Sequence, residues 1–551
     1  MSAGTMTILD GAAALARLMR DWECSAAFHV PGEGILEILD ALDQAGVPLV
    51  SCRHEAGAAV AAQALGHVTG RPGICLVGRA PGALNTALAL HTARTDAAPM
   101  ILIIGQPPHK IAGREPFLGN DFALAFAPMA KWIGTCTEAA RLPELFARAW
   151  ATALEGQRGP VVLSIHEEVW RQTVSATSLP FSAPVPPRGA ASTEAVSAIL
   201  SSLTGGRKPL IVVGGTGWSA GDCHTLVALA ERLGIPVATS YRRRCLMPAS
   251  HPLFAGELGI GADPALARRV AEADPILVLG MRLGEINTFG ASVFEGYRLL
   301  DAPVPAQRVL HVHPDTTELN AVYQTQMAVQ AHPGEVLAQL LAVAGGGGSV
   351  DPDWPASLRT ARLDFATGRP CPGRLEPREV FRTLRAAVPP DAMLTVGAGA
   401  YAHWPQRYFP HDHPLTQLGP KSGAMGYGLP AAIGVQVAQP GRRVVALAGD
   451  GCLMMQGEEL STAVLYRLPI VVIVVNNSAY GAIAASQTRA FGRTTGTSLA
   501  QVDLAAWAQA LGATGLRVTQ TTDFAPALER ALTVGGPAVI ELVTTEAALK
   551  P

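Results

Sequence analysis

The sequence predicts an α/β protein built from three doubly wound parallel-sheet domains, and three observations carry that expectation. A chain of 551 residues is too long for one hydrophobic core. Short β-branched apolar runs opening after Gly or Pro recur along it: "PGICLVG", "PMILIIG", "GPVVLSI", "PLIVVGG", "PILVLG", "RVVALAG", "LPIVVIVV" and "PAVIELV". Such runs, separated by Ala- and Leu-rich helical stretches, suit strands buried on both faces, so parallel sheets covered by helices are predicted. Two breaks interrupt this texture, the Pro-rich "SLPFSAPVPPRGAAS" (178–192) and the Gly/Pro linker "AGGGGSVDPDWP" (344–355). They divide the chain into units at 1–175, 192–343 and 375–551, each the size of one α/β domain.

Composition narrows the function. Hydrophobic residues make up 49% and charged ones 16%, which points to large cores rather than disorder. Forty-two basic against forty-four acidic side chains leave a net charge of −2, and the densest basic run is "YRRRC" (241–245). Neither nucleic acid nor an anionic membrane surface is an expected partner. The eight Cys are scattered without a Cys-x-x-Cys pair, so reduced core thiols are expected and a zinc site is not. No apolar run reaches the length of a membrane span, and "MSAGTMTILDG" lacks the plan of a signal peptide. The expected location is the cytoplasm.

The third unit carries the strongest chemical signal, "LAGDGCLMMQGEELSTAVLYRLPIVVIVVNNSAY" (447–480). Residues 444–448 read as a strand, Gly449-Asp450-Gly451 as its exit turn, 457–466 as a helix and 470–475 as the next parallel strand, ending at Asn476-Asn477. A right-handed crossover puts both tips on the carboxyl edge of the sheet, where open α/β sheets bind ligands. One anionic and one amide oxygen, beside glycines that let a ligand approach the backbone, make a partial shell for Mg²⁺ holding a diphosphate.

This stretch resembles the thiamin diphosphate motif, Gly-Asp-Gly followed about 25 residues later by Asn-Asn; here 24 residues intervene. The resemblance implies Asp450, Asn477 and the carbonyl of Ala479 as Mg²⁺ ligands, with Gly449, Gly451, Cys452 and Tyr480 around the cofactor. "VGAGAYA" (396–402) offers Gly397, Gly399 and Ala400 as backbone donors to the diphosphate. "GPKSGAMGYGLPAAIG" (419–434) resembles a segment of acetohydroxyacid synthases, which implies that Met425 wedges under the coenzyme. In the first unit, Arg53-His54-Glu55 opening an Ala-rich helix resembles the glutamate segment of thiamin diphosphate decarboxylases and synthases. The resemblance implies that Glu55 hydrogen-bonds the pyrimidine N1′ and favours the imino tautomer that takes the thiazolium C2 proton. A buried carboxyl with a raised pKa suits that duty.

The second unit resembles the central domain of the acetohydroxyacid synthase superfamily, which binds FAD in certain members. The Met-His-Gly stretch of those members is replaced by "AGELGIG" (255–261), and FAD is not expected. The order pyrimidine domain, central domain, diphosphate domain covers nearly the whole chain. It implies a homodimer or homotetramer in which Glu55 and Asp450 of different subunits serve one site.

Departures from the family pattern bear on the reaction. Ile483 stands where simple pyruvate decarboxylases place a catalytic glutamate. Ala482, Ala484, Ala485 and Ser486 are small, and Ser486 lies near where the synthases carry a bulky tryptophan, so a roomy pocket for a second reactant is expected. Phe117 keeps an aromatic of the synthase segment, but Leu118 replaces its glutamine. Glu33 follows Pro-Gly where an acid/base group faces C2 in several decarboxylases, and Arg79 is a candidate contact for a substrate carboxylate. The expected activity is C–C bond formation or cleavage on a 2-oxo acid, through a C2-carbanion/enamine, by an acetolactate synthase-like carboligase or decarboxylase. An acyloin lyase is the alternative; a hydroxyacyl-CoA lyase and a non-catalytic thiamin diphosphate-binding protein rank lower.

Overall fold

The computed structural model describes residues 8–180, 182–288, 300–346, 348–368, 371 and 373–545. Residues 1–7 and 546–551, the ends of the first and third predicted units, lie outside the described residues, as does most of the N-terminal stretch read for a signal peptide.

Each unit carries one six-stranded sheet whose pairings are all parallel. In the first unit the order is Leu49–Ser51, Ala27–His29, Gly73–Gly78, Met100–Gln106, Pro160–His166, Trp132–Cys136. In the third it is Gln417–Leu418, Met393–Val396, Val444–Gly449, Val471–Asn476, Ala538–Val543, Thr514–Val518. Counted within each unit, both read 2-1-3-4-6-5. The central sheet runs Phe254–Glu257, Val237–Thr239, Leu210–Val213, Ile276–Leu279, Val309–His313, Met327–Gln330, or 3-2-1-4-5-6, the doubly wound dinucleotide-type order. The β-branched runs are the interior strands, and every residue of Met100–Gln106, Pro160–His166 and Val471–Asn476 is buried, as cover on both faces requires. Ile8–Asp10 pairs antiparallel with Thr173–Ser175 and closes the first unit.

The first and third units meet through equivalent helices, Glu55–Thr69 and Gly428–Ala438. Their backbones touch, since a Cβ on Gly434 would stand 2.1 Å from the carbonyl oxygen of Ala61. Only glycine permits that approach.

Three local expectations need correction. The strands flanking Asp450 and Asn477 each extend one residue further than predicted, to Gly449 and Asn476. The helix expected at 457–466 is present but shorter, Glu459–Leu465, and the expected turn before it adds a second helix, Asp450–Leu453. The turn itself coils into a helix because Gly449 is extended and hands the chain over at Asp450, an acid in a first helical turn. Finally, the linker runs into an unforeseen helix, Asp353–Thr367. It packs under the central sheet through buried Trp354, whose Nε1 donates to Pro209 O at 2.8 Å, and buried Leu358.

Candidate active site

The carboxyl edge of the third sheet opens into a crevice of about 220 Å³. Three strand tips build it: Gly399 and Ala400 follow the first strand of the unit, Gly449 to Cys452 the third, and Asn477, Ala479 and Tyr480 the fourth. Met425 enters from the segment before the Gly428–Ala438 helix, while Ala482 and Ile483 form the rim. Glycine is required at the tips. A Cβ on Gly449 would sit 2.8 Å from the Tyr401 ring and one on Gly451 2.8 Å from Tyr480. Gly397 lies behind the crevice, where a Cβ would meet Tyr401 Oη at 2.5 Å. Ser486 departs from expectation. It lies a turn further along the Gly481–Phe491 helix, exposed, with its hydroxyl donating to Ala482 O at 3.0 Å, so it does not line the pocket.

Asp450 is buried. Burial pushes its carboxyl above the usual range, while backbone N–H groups that include those of Gly451, Ser478 and Ala479 pull the other way. Asn477 Nδ2 is buried without a hydrogen-bond partner. Its neighbour behaves differently: Asn476 Nδ2 donates to Glu541 Oε1 at 2.7 Å and Val502 O at 3.1 Å, so one asparagine of the pair is structural. The left-handed Ser478 (φ 52) lies between Asn477 and Ala479 in that turn. Among the described residues no group of three or more His, Cys, Asp or Glu side chains could hold a metal. A buried carboxyl beside an amide oxygen at glycine-lined tips fits a hard cation that takes its remaining oxygens from a bound polyanion, and the unpartnered Asn477 Nδ2 fits an oxygen of that polyanion.

The first sheet presents a different edge. Glu55 opens its helix behind His54, whose Nδ1 accepts from Ala56 N at 3.1 Å. Asn85 Nδ2 donates to Glu55 Oε2 at 2.8 Å, and a Cβ on Gly82 would come 3.1 Å from Oε1. The carboxyl is half-buried in the single chain, not buried as expected. No described residue of this unit lines the Asp450 crevice.

Beside Glu55, Arg79 is already engaged: its guanidinium donates to Glu167 at 3.1 Å and pairs with Glu33 at 3.6 Å. Arg79 and Leu118 are both left-handed (φ 49 and 61), and the Leu118 carbonyl accepts from Ala80 N at 2.9 Å. Phe117 is 75% exposed. Glu167 was missed because it follows a strand remote in sequence, and only the sheet order brings it to Arg79.

Glu459 was also missed. It lies fully buried in the third unit, yet accepts from the backbone N–H groups of Arg53 (3.1 Å) and His54 (2.9 Å) and from the Thr462 hydroxyl (2.6 Å). It thus holds the segment leading into Glu55. Glu459 follows Glu458 in "GEEL", and nothing in that dipeptide marks which acid is buried.

A second crevice, of about 390 Å³, lies at strand exits of the central unit, lined by its Gly215, Gly280, Arg282 and His313 together with Arg158 of the first unit and Lys421 of the third. The replaced stretch 255–261 ends at Gly261 (φ 78), where a Cβ would stand 2.1 Å from His403 Nδ1 and no side chain fits.

Comparison with known proteins agrees with this geometry. Residues 9–125 match the family described as thiamine pyrophosphate enzyme, N-terminal TPP binding domain; 196–340 match its central domain and 397–542 its C-terminal TPP binding domain. The acetolactate synthase large subunit of Corynebacterium glutamicum is 29% identical over 563 residues, covering 98% of this chain and 87% of that protein. Acetolactate synthase of Bacillus subtilis is 27% identical over 527 residues, covering 94% and 90%. The isozyme 3 large subunit of Escherichia coli is 28% identical over 550 residues, covering 96% and 93%. The chain belongs to the acetolactate synthase-like superfamily of thiamin diphosphate-dependent enzymes.

Proposed function

We propose that this enzyme is a thiamin diphosphate- and Mg²⁺-dependent carboligase or decarboxylase of a 2-oxo acid, working in the cytoplasm as a homodimer or homotetramer of three-domain chains (1–175, 192–343, 375–551). The observation that carries the reading is the glycine-lined crevice holding Asp450 beside the unpartnered amide of Asn477. Asp450, Asn477 and the Ala479 carbonyl would hold the metal, Gly399 and Ala400 the diphosphate, and Met425 the rings. When bound, thiamin diphosphate supplies a nucleophilic carbon and an electron sink for the substrate carbonyl.

Glu55 is the group assigned to proton exchange at N1′. Asn85 fixes one of its oxygens, which leaves the other for that nitrogen. Its duty requires the Glu55 edge of one chain to face the Asp450 crevice of another. Exposed apolar side chains flank both half-sites: Leu84 (45%) and Leu88 (43%) beside Asn85, and Met454 and Met455 (48% each) beside Asp450. Paired faces of this kind suit burial against a second chain. Ile483 at the rim offers no proton donor, and neighbouring Ala482 leaves room for an acceptor. FAD stands outside the proposal, because the stretch of the flavin-binding members is replaced here by residues 255–261.

A specific observation favours a second reading. Arg79 is held by Glu33 and Glu167, so its guanidinium is not free to meet a substrate carboxylate, and an uncharged acyloin or aldehyde pair becomes the alternative substrate. Incubation of the protein, thiamin diphosphate and Mg²⁺ with panels of 2-oxo acids, aldehydes and acyloins, followed by NMR, decides between them. CO₂ with a new hydroxyketone, or with free aldehyde, supports the first reading. Acyloin cleavage without CO₂ selects the second, and no turnover rejects both.

A further inference from the structure

A cavity of about 210 Å³ lies on the seam between the central unit, the Asp353–Thr367 helix and the third-unit helices Pro377–Ala387 and His403–Tyr408. It is remote in kind from the cofactor crevice, because five arginines line it: Arg244, Arg362, Arg378, Arg382 and Arg407. Glu257 and Asp263 are the only acids among its described lining residues.

Two of the arginines are held by aromatic walls. The Arg362 guanidinium lies 5.5 Å over the Phe254 ring and that of Arg407 lies 4.3 Å over Phe365. Arg244 Nη1 donates to Pro405 O at 2.9 Å across the seam, and Arg407 Nε to Phe365 O at 2.6 Å. Several polar groups on the walls remain unsatisfied: Arg362 Nε, Tyr408 Oη and Asp263 Oδ2 are buried without a hydrogen-bond partner. Burial, together with Arg244 and Arg359, pulls the Arg362 pKa down, and burial raises the carboxyls of Glu257 and Asp263. Arg244 pairs with Glu257 at 3.9 Å, and Arg378 and Arg382 pair with Glu379 at 3.6 and 3.1 Å. Arg362, by contrast, has no ion pair among the described residues, and an unsatisfied buried donor such as its Nε is costly unless a ligand completes it.

We propose that this seam cavity is a binding site for a small dianion, a phosphate or a short dicarboxylate, gripped by Arg362 with Arg378, Arg382 and Arg407 around it. Guanidinium forks match either oxyanion, and the volume is below that of sites for drug-sized molecules, about 300–1,000 Å³. The site bears on the cofactor crevice through one continuous segment. Ala400 and Tyr401 line the crevice, and Gln406, Arg407 and Tyr408 of the following helix line the seam. A dianion that braces this helix also braces the turn expected to hold the diphosphate.

The test is calorimetric titration of the enzyme, saturated with thiamin diphosphate and Mg²⁺, with inorganic phosphate and separately with succinate at constant ionic strength. Wild-type protein is compared with Arg362→Met and Arg382→Gln. The expected result is binding of one of the two anions, weakened at least tenfold by Arg362→Met and less by Arg382→Gln. Phosphate binding alone identifies the phosphate class, and succinate binding alone the dicarboxylate class. Arg362→Met removes a half-buried charge that has no ion pair among the described residues, so its thermal midpoint without anion should equal or exceed that of wild type, whereas a merely structural arginine would lower it. Absence of binding by both anions, or equal affinity in wild type and both variants, overturns the proposal.

Discussion

The first and third units share a strand order, and they meet through the same helix of each, yet their carboxyl edges carry opposite equipment. The third edge has a crevice, a buried carboxyl and glycines at two of its three strand tips. The first has a half-buried Glu55, an arginine already neutralised by two acids and an exposed aromatic. One wiring therefore carries two differently equipped edges, for which we propose two duties, anchoring and proton transfer, because function resides in the few residues at strand tips rather than in the sheet.

Variants that separate the two edges test this division. The largest effect is expected at the first: Glu55→Gln should keep metal-dependent thiamin diphosphate binding and lose about 10²–10⁴-fold in turnover. Unchanged turnover would remove Glu55 from the chemistry. At the third edge, Asp450→Ala should lower cofactor affinity in Mg²⁺ by at least ~100-fold, leaving it equal with and without the metal. Fluorescence titration in each condition reads this directly, and a persisting Mg²⁺ dependence would contradict the assignment.

The asparagine pair sharpens the comparison further. Asn476→Ala deprives buried Glu541 of a partner and should cost about 1–3 kcal/mol in urea unfolding, with Mg²⁺ dependence intact. Loss of Mg²⁺ dependence instead would exchange the roles of Asn476 and Asn477. The smallest effect concerns the joint between the units. Burial raises the Glu459 carboxyl above the usual carboxylate range, so the folded protein binds that proton more tightly than the unfolded chain. The corresponding stability is present below the unfolded pKa and is lost as pH rises through the folded value. Glu459→Gln removes this titration, and its unfolding midpoint should fall less than that of wild type between acid and neutral pH. Parallel pH profiles would show that Glu459 does not titrate in that window.

Much of the third edge was legible in the sequence, because its parts lie on consecutive strand tips and local pattern suffices to place them. Asp450, Asn477, Met425 and Gly399 converge for that reason. What escaped prediction depends on contacts between segments far apart in the chain. Glu459 reaches Arg53 and His54 across some 400 positions, and Glu167 meets Arg79 only because their strands share a sheet. The Asp353–Thr367 helix was hidden by the Gly/Pro linker before it, although Trp354 supplies its anchor. Ser486 was misplaced by reading spacing without the helix, whose next turn carries it out of the pocket.

The central claim is that Glu55 of one chain serves Asp450 of another. Co-expression of Glu55→Gln and Asp450→Ala chains, each inactive alone, tests it most directly. If sites are shared, a mixed dimer contains one intact and one doubly altered site, so statistical mixing should restore about a quarter of wild-type activity. If both residues act within one chain every site stays defective, and mixing that restores nothing would contradict the account.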